Sequence, residues 1–274
     1  MNFDISLPRR ATFPLEFYDR VPFIRVQHQG EEKLFIFDSG AQDIILNSTY
    51  LPANDSSDVG YGMGATGTVA HQYVPLGGLR IGDWVIGDRE VLSYDMTHIA
   101  EEYGTEVHGL MGFRQLIYFD WMVDYEKGEL HLWDRFPKSK HELAGKVQAN
   151  YRDHLPMVKI RIGEEEYKML IDTGAGMFVM VNENKERVMP HVEDEGTKQM
   201  ASASPVEQEV GKGVLKGFQI GDLDFGPCEI NFMDLSHMQR GFGTDIDGIV
   251  GHSVLSQYRT VVCWSYHAMY FLKD

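Results

Sequence analysis

Shifted against itself by 134 residues, the chain repeats. "VPFIRVQHQGEEKLFIFDSGA" at 21–41 lies over "LPMVKIRIGEEEYKMLIDTGA" at 155–175 without a gap, so that Pro22 meets Pro156, Asp38 meets Asp172 and Gly40–Ala41 meet Gly174–Ala175. After a net insertion of five residues in the second copy, "LRIGDWVIG" at 79–87 lies over "FQIGDLDFG" at 218–226, and "GLMG" at 109–112 over "GIVG" at 248–251. Three matching stretches in one order indicate a duplicated unit, so both copies must solve the same folding problem.

That unit reads as β. Residues 23–28 and 157–162 alternate apolar and polar side chains, and "HQGEE" and "IGEEE" look like hairpin turns into a strand that ends at an aspartate. "FRQLIYF" and "HSVLSQY" have the length of one or two helical turns, and each copy closes with strands, "WMVDY…ELHLW" and "TVVCW…AMYFL". The polar segment "DRFPKSKHELAGK" at 134–146 is the candidate connection, which divides the chain into residues 1–140 and 141–274. At 274 residues, two units of about 130 residues each fit ordinary domain sizes.

Within this pattern stand two carboxylates, each entered through three apolar residues: "FIFDSGAQDIILN" at 35–47 and "MLIDTGAGMFVMV" at 169–181. Asp-Ser-Gly and Asp-Thr-Gly are ordinary turn tripeptides, and two capped turns are one reading. The duplication favours another, in which Asp38 and Asp172 meet. Two carboxylates within about 3 Å of each other cannot both ionise readily, so one keeps a proton while the other stays charged. Such a pair can take a proton from water and give one to a carbonyl oxygen.

The series Asp-Thr/Ser-Gly after an apolar strand, a glycine-containing hairpin, then apolar-apolar-Gly before a short helix resembles the aspartic peptidases of the pepsin and retropepsin type. Both copies carry it, "IFDSGA" with "LMG" and "LIDTGA" with "IVG", over nearly the whole chain. "VGYGMGATG" at 59–67 is similar to the flap of pepsin-like enzymes, with Tyr61 at the place of the flap tyrosine, and 257–272 resembles their last strands. The stretch from Asp38 to Tyr61 is much shorter than in pepsins and lacks their cysteine-bridged loop; alanine after each glycine is closer to retroviral proteases.

The resemblance implies an all-β, bilobal pepsin-like fold of two tandem retropepsin-like β-barrel lobes with short helices. It implies an aspartic endopeptidase with Asp38 and Asp172 as the catalytic pair, acting as a monomer on peptide or protein substrates without metal or cofactor. Ser39 and Thr173 would bond across to the opposite loop, Gly40 and Gly174 leave room for backbone beside the dyad, and Tyr61, Gly62 and Met63 would contact substrate from the flap. The second copy's counterpart, 197–213, has fewer glycines and reads as a stiffer lip. A peptide-binding protein that kept the fold and lost turnover is the alternative; an unrelated β-sandwich explains none of the register.

Other readings have less support. A net charge of −16 makes nucleic acid or an anionic membrane an unfavourable partner, and no apolar run approaches the roughly 20 residues of a membrane span. The glycine-rich loop lacks the Gly-Lys-Ser/Thr ending of a phosphate cradle. The 11 histidines form no metal-ligand spacing. Asp43 has Met177 as its counterpart, which argues against a paired role. Cys228 and Cys263 match no metal or redox motif, leaving two buried thiols or one disulfide. The start, "MNFDISLPRRATF", lacks the apolar core of a secretion signal; the resemblance suggests export to the periplasm if a signal was trimmed, and a cytoplasmic location otherwise.

Overall fold

Strand-forming alternation continues into the folded chain. The computed structural model describes residues 9–50, 60–64, 67–151, 155–200, 208–243 and 245–273. These are mostly β-strand, with few and short helices. The first copy runs β1 (Arg10–Tyr18), β2 (Val21–His28), β3 (Glu31–Phe37), β4 (Ile45–Asn47), β5 (Gly60–Gly64), β6 (Gly67–Pro75), β7 (Leu79–Ile81), β8 (Trp84–Ile86), β9 (Glu90–Tyr94), α1 (Thr97–Tyr103), β10 (Gly109–Met111), a 3₁₀ turn at Phe113–Tyr118, β11 (Asp120–Asp124) and β12 (Glu129–Trp133).

The second runs β13 (Leu143–Asn150), β14 (Met157–Ile162), β15 (Glu165–Ile171), β16 (Phe178–Val181), α2 (Lys185–Val188), β17 (Val192–Met200) and β18 (Gln208–Leu215). It continues through β19 (Phe218–Ile220), β20 (Leu223–Phe225), β21 (Cys228–Met233), α3 (Ser236–Phe242), β22 (Gly248–Val250), α4 (His252–Leu255), β23 (Arg259–Cys263) and β24 (Ala268–Leu272).

Pairing repeats along with sequence. β2 turns into antiparallel β3 through Gln29 and Gly30, whose φ values of 52° and 82° suit the twist of a two-residue hairpin. β3 then takes β10 in parallel, β10 takes β4 antiparallel, and β4 takes β9 in parallel. In the second copy β14–β15, β15–β22, β22–β16 and β16–β21 follow the same senses. Phe35 opposite Gly109 corresponds to Met169 opposite Gly248, so the register is the same.

A sheet of six strands joins the copies, in the order β1–β12–β11–β23–β24–β13. At its middle Met122 pairs with Val261, two residues that the duplication makes equivalent. Asp124, buried in β11, faces Arg259 of β23 at 3.3 Å and ties the copies electrostatically. β1 and β13 each pair in this sheet first and then turn onto β2 and β14. The polar segment 134–146 is therefore no free linker. Phe136 within it is fully buried, its N–H donates to Asp120 at 2.7 Å, and residues from Leu143 onward are already strand. Among the described residues no helix is long and apolar enough to cross a membrane.

Candidate active site

Both aspartates stand one residue past the end of a buried strand. Leu34–Phe37 and Met169–Ile171 are buried because β3 and β15 have a strand on each side. The Asp38 N–H donates to the Met111 carbonyl at 3.0 Å, and the Asp172 N–H to the Val250 carbonyl at 3.0 Å. Each loop is then held from behind: Phe113 N–H donates to the Ala41 carbonyl at 2.9 Å, and His252 N–H to the Ala175 carbonyl at 2.8 Å. Gly112 and Gly251 permit that approach. A Cβ on Gly112 would lie 2.3 Å from the Asp43 carbonyl oxygen, and one on Gly251 2.3 Å from that of Ala175.

The loops meet through four reciprocal hydrogen bonds. Ser39 N–H donates to Thr173 Oγ1 (3.0 Å) and Thr173 N–H to Ser39 Oγ (3.0 Å). The Ser39 hydroxyl donates to the Ile171 carbonyl (2.9 Å), and the Thr173 hydroxyl to that of Phe37 (2.7 Å). Both side chains are buried. A serine in one copy and a threonine in the other each satisfy the strand end of the opposite copy.

This contact brings the two half-buried carboxyls together, close enough that each shifts the other's titration. A Cβ on Gly40 would lie 2.5 Å from Asp172 Cγ, and one on Gly174 2.6 Å from Asp38 Cγ, so each glycine faces the opposite carboxyl. Asp38 accepts from the N–H groups of Gly40 (2.8 Å) and Ala41 (3.0 Å), and Asp172 from Gly174 (2.8 Å).

Burial raises the pKa of both carboxyls above the ordinary carboxylate range. Asp172 is raised the more, since the charge of Asp38 beside it adds to burial; Asp38 is held back by the bonds it accepts from Asp172 and the two amides. Two such carboxyls titrate as a unit, one keeping its proton while the other is charged. A charged acceptor and a neutral donor stand side by side.

Sequence reasoning missed the tyrosines around this pair. Burial pushes the phenols of Tyr94, Tyr103 and Tyr125 well above their ordinary value, with further upward effects from Asp38 at Tyr94, from Glu102, Asp38, Asp19 and Asp172 at Tyr103, and from Asp172 at Tyr125. Their hydroxyls stay neutral. Tyr61, Gly62 and Met63 fall on the backbone of β5, opposite Ala70, Val69 and Thr68 of β6; the placement of their side chains, like residues 51–59, 65–66 and 201–207, lies outside what is described. β5 runs beside α3, so the first copy's hairpin reaches the second copy. β17 and β18 form the matching hairpin there, with a bulge between Asp194 and Gly196.

Asp43, whose counterpart Met177 argues against a paired role, instead fastens its own loop. Its carboxylate accepts from Arg89, from Arg114 Nη1 (3.1 Å), from Gln115 Nε2 (3.1 Å) and from the Ile44 N–H (2.7 Å), fastening the first loop to the 3₁₀ turn. Its counterpart Met177 receives Asn231 Nδ2 (3.0 Å) and a distant Lys198 Nζ (4.0 Å) at its sulfur. Comparison of the copies hid this residue, because the second loop is fastened by different chemistry. Asp43→Ala leaves two guanidiniums and an amide without their acceptor and is expected to cost about 2–3 kcal/mol in urea unfolding, with Asp43→Asn costing less. Cys228 and Cys263 are buried free thiols, and burial pushes Cys228 up to about 12 and Cys263 higher, so neither is a ready nucleophile.

No curated protein matches the chain. Residues 158–254, from β14 through most of α4, match the sequence model of the family Asp_protease_2, described as Aspartyl protease. The copy that carries Asp172, Thr173 and Gly174 is thus similar in sequence to the aspartyl proteases.

Proposed function

We propose that the protein is an aspartic endopeptidase built of two retropepsin-like lobes, residues 1–140 and 141–274, and that it works as a single chain because each lobe supplies one aspartate. One observation carries this reading: reciprocal Ser39 and Thr173 bonds hold two half-buried carboxyls side by side, each facing the other loop's glycine.

In this reading a water sits between the carboxyls, facing an extended peptide. Asp38, charged, takes a proton from the water as its oxygen attacks the peptide carbonyl carbon. Asp172, protonated, gives its proton to the carbonyl oxygen, which forms a neutral tetrahedral intermediate. The proton now on Asp38 passes to the amide nitrogen, and the C–N bond breaks. As the carbonyl re-forms, its hydroxyl proton returns to Asp172. The pair ends as it began, with one proton. The β5–β6 hairpin supplies main-chain groups along one side of the peptide and excludes water from the cleft.

Incubation with a diverse peptide library across about pH 3 to 7 tests the reading, since the pair acts only while it holds a single proton. Cleavage is expected, and it is expected to vanish when either aspartate is changed to asparagine. Peptide capture without cleavage at every pH would instead identify a binding protein.

A further inference from the structure

The duplication sets one contact twice, with different chemistry. Behind the first loop the ring of Phe113 lies against Trp264 of the other copy, with centroids 5.0 Å apart. Behind the second, the equivalent positions are His252 and Tyr125, whose rings meet edge to face at 4.8 Å. The first contact is apolar. The second carries a titratable imidazole and a phenol, and His252 Nδ1, Ser253 Oγ and Tyr125 Oη are all buried with no hydrogen-bond partner among the described residues.

We propose that His252 and Tyr125 are a positioning pair for Asp172, holding its loop while the imidazole is neutral and releasing it when the imidazole is charged. The path is short. His252 N–H donates to the Ala175 carbonyl, the Ala175 N–H donates to the Asp172 backbone carbonyl (3.4 Å), and the Gly174 N–H donates to the Asp172 carboxyl (2.8 Å). Gly251 is pressed against the carbonyls of Ala175 and Met177, so the loop cannot follow a ring that swings toward water without moving Asp172. Phe113 makes the same backbone bond to Ala41 with a ring that never charges.

The groups facing His252 settle the direction. Burial lowers its pKa first and Arg20 lowers it further, while Asp19 on the same β1–β2 turn partly opposes them. The turn sits on the second loop, with the Asp19 carbonyl 3.6 Å from where a Cβ on Gly176 would lie. Tyr125 is neutral. α4 packs on β16, β21 and β22; β16 and β22 bring no titratable side chain. β21 brings Cys228, whose thiol stays protonated, and Glu229, which pairs with Lys198 at 2.8 Å. A histidine lowered in the folded state binds fewer protons there than in the unfolded chain. Its contribution to stability is therefore complete above the ordinary 6.5 and is lost as pH falls below it, down to the folded value.

Two readouts test this, one of them independent of catalysis. In NMR titrations the His252 ring is expected to titrate below 6.5, and the Gly174 and Ala175 amides to show a step at the same midpoint. That step should disappear in His252→Phe, which copies the chain's own Phe113, and in His252→Gln, which keeps polarity if the larger ring fails to fold. In the same variants the acid limb of kcat/KM should move to lower pH, with about tenfold more activity retained roughly one unit below the parent's half-point. Loop amides that ignore the His252 titration, or keep their step in both variants, would overturn the proposal. The consequence for kcat/KM rests on the peptidase reading, and the amide coupling does not. Absent cleavage with tracking amides would fail that reading alone, whereas cleavage with an unchanged profile and untracked amides would fail this inference alone.

Discussion

On the peptidase reading, Asp38→Asn and Asp172→Asn are each expected to leave a folded protein that cleaves peptides at least about a thousandfold more slowly than the parent. An amide can neither take the proton of the attacking water at Asp38 nor hold and release one at Asp172, so either change removes proton transfer altogether. Residues that act as a unit are strongly non-additive, and the double variant should be scarcely slower than the worse single one. Folding should survive, since asparagine is close to aspartate in shape and the backbone donors at Gly40, Ala41 and Gly174 still find an oxygen. The pH dependence of stability carries a sign. Both carboxyls are raised in the folded state, so the native protein binds protons more tightly than the unfolded one. The parent is favoured at low pH and loses that advantage as pH rises through the folded values. The asparagine variants lack this loss, so their stability relative to the parent should increase toward neutral pH in urea titrations.

The second large effect is at the contact between the loops. Thr173→Val leaves the Ser39 N–H without an acceptor and the Phe37 carbonyl without its donor; Ser39→Ala does the same to the Thr173 N–H and the Ile171 carbonyl. All lie in buried surroundings, so each substitution should cost about 2–4 kcal/mol, read as a lower urea midpoint with an unchanged m-value. Because the four bonds share one site, the double variant should deviate from additivity by about 0.5–3 kcal/mol. Activity should fall in parallel, while Ser39→Thr and Thr173→Ser, which keep a hydroxyl at each place, should retain most of both. Variants as stable as the parent would mean that the loops are aligned by the sheets alone.

Much of this was legible in the sequence. β2, β3, β14 and β15 announce themselves by alternation and by apolar runs closed by a polar turn, both local signals. The duplication adds register, since a strand placed in one copy places its counterpart in the other. Pairing between the copies is a different matter. Nothing local states that Met122 lies opposite Val261, because both sit in apolar runs that could pair with many strands. β13 escaped notice for a related reason. Its start, Leu143-Ala144-Gly145-Lys146, has small residues and no alternation, and it is held as a strand by β24 beside it. At the site, the aspartates and their hydroxyl neighbours stand out because they recur. Asp43, Tyr125 and His252 do not recur: their counterparts are Met177, Trp264 and Phe113, and comparing copies suppresses such differences. Where the two halves share a backbone and differ in side chains, only the three-dimensional contact shows what each substitution touches.

A catalytic pair requires that Asp38 and Asp172 hold one proton between them. Carboxyl ¹³C NMR across the acid range, with the two resonances assigned through the asparagine variants, measures this directly. A shared proton gives two linked steps felt at both carbons, with the later step well above the ordinary aspartate value of 3.8 and abolished by either substitution. Two independent transitions near 3.8, each unaffected by loss of the other residue, would contradict it.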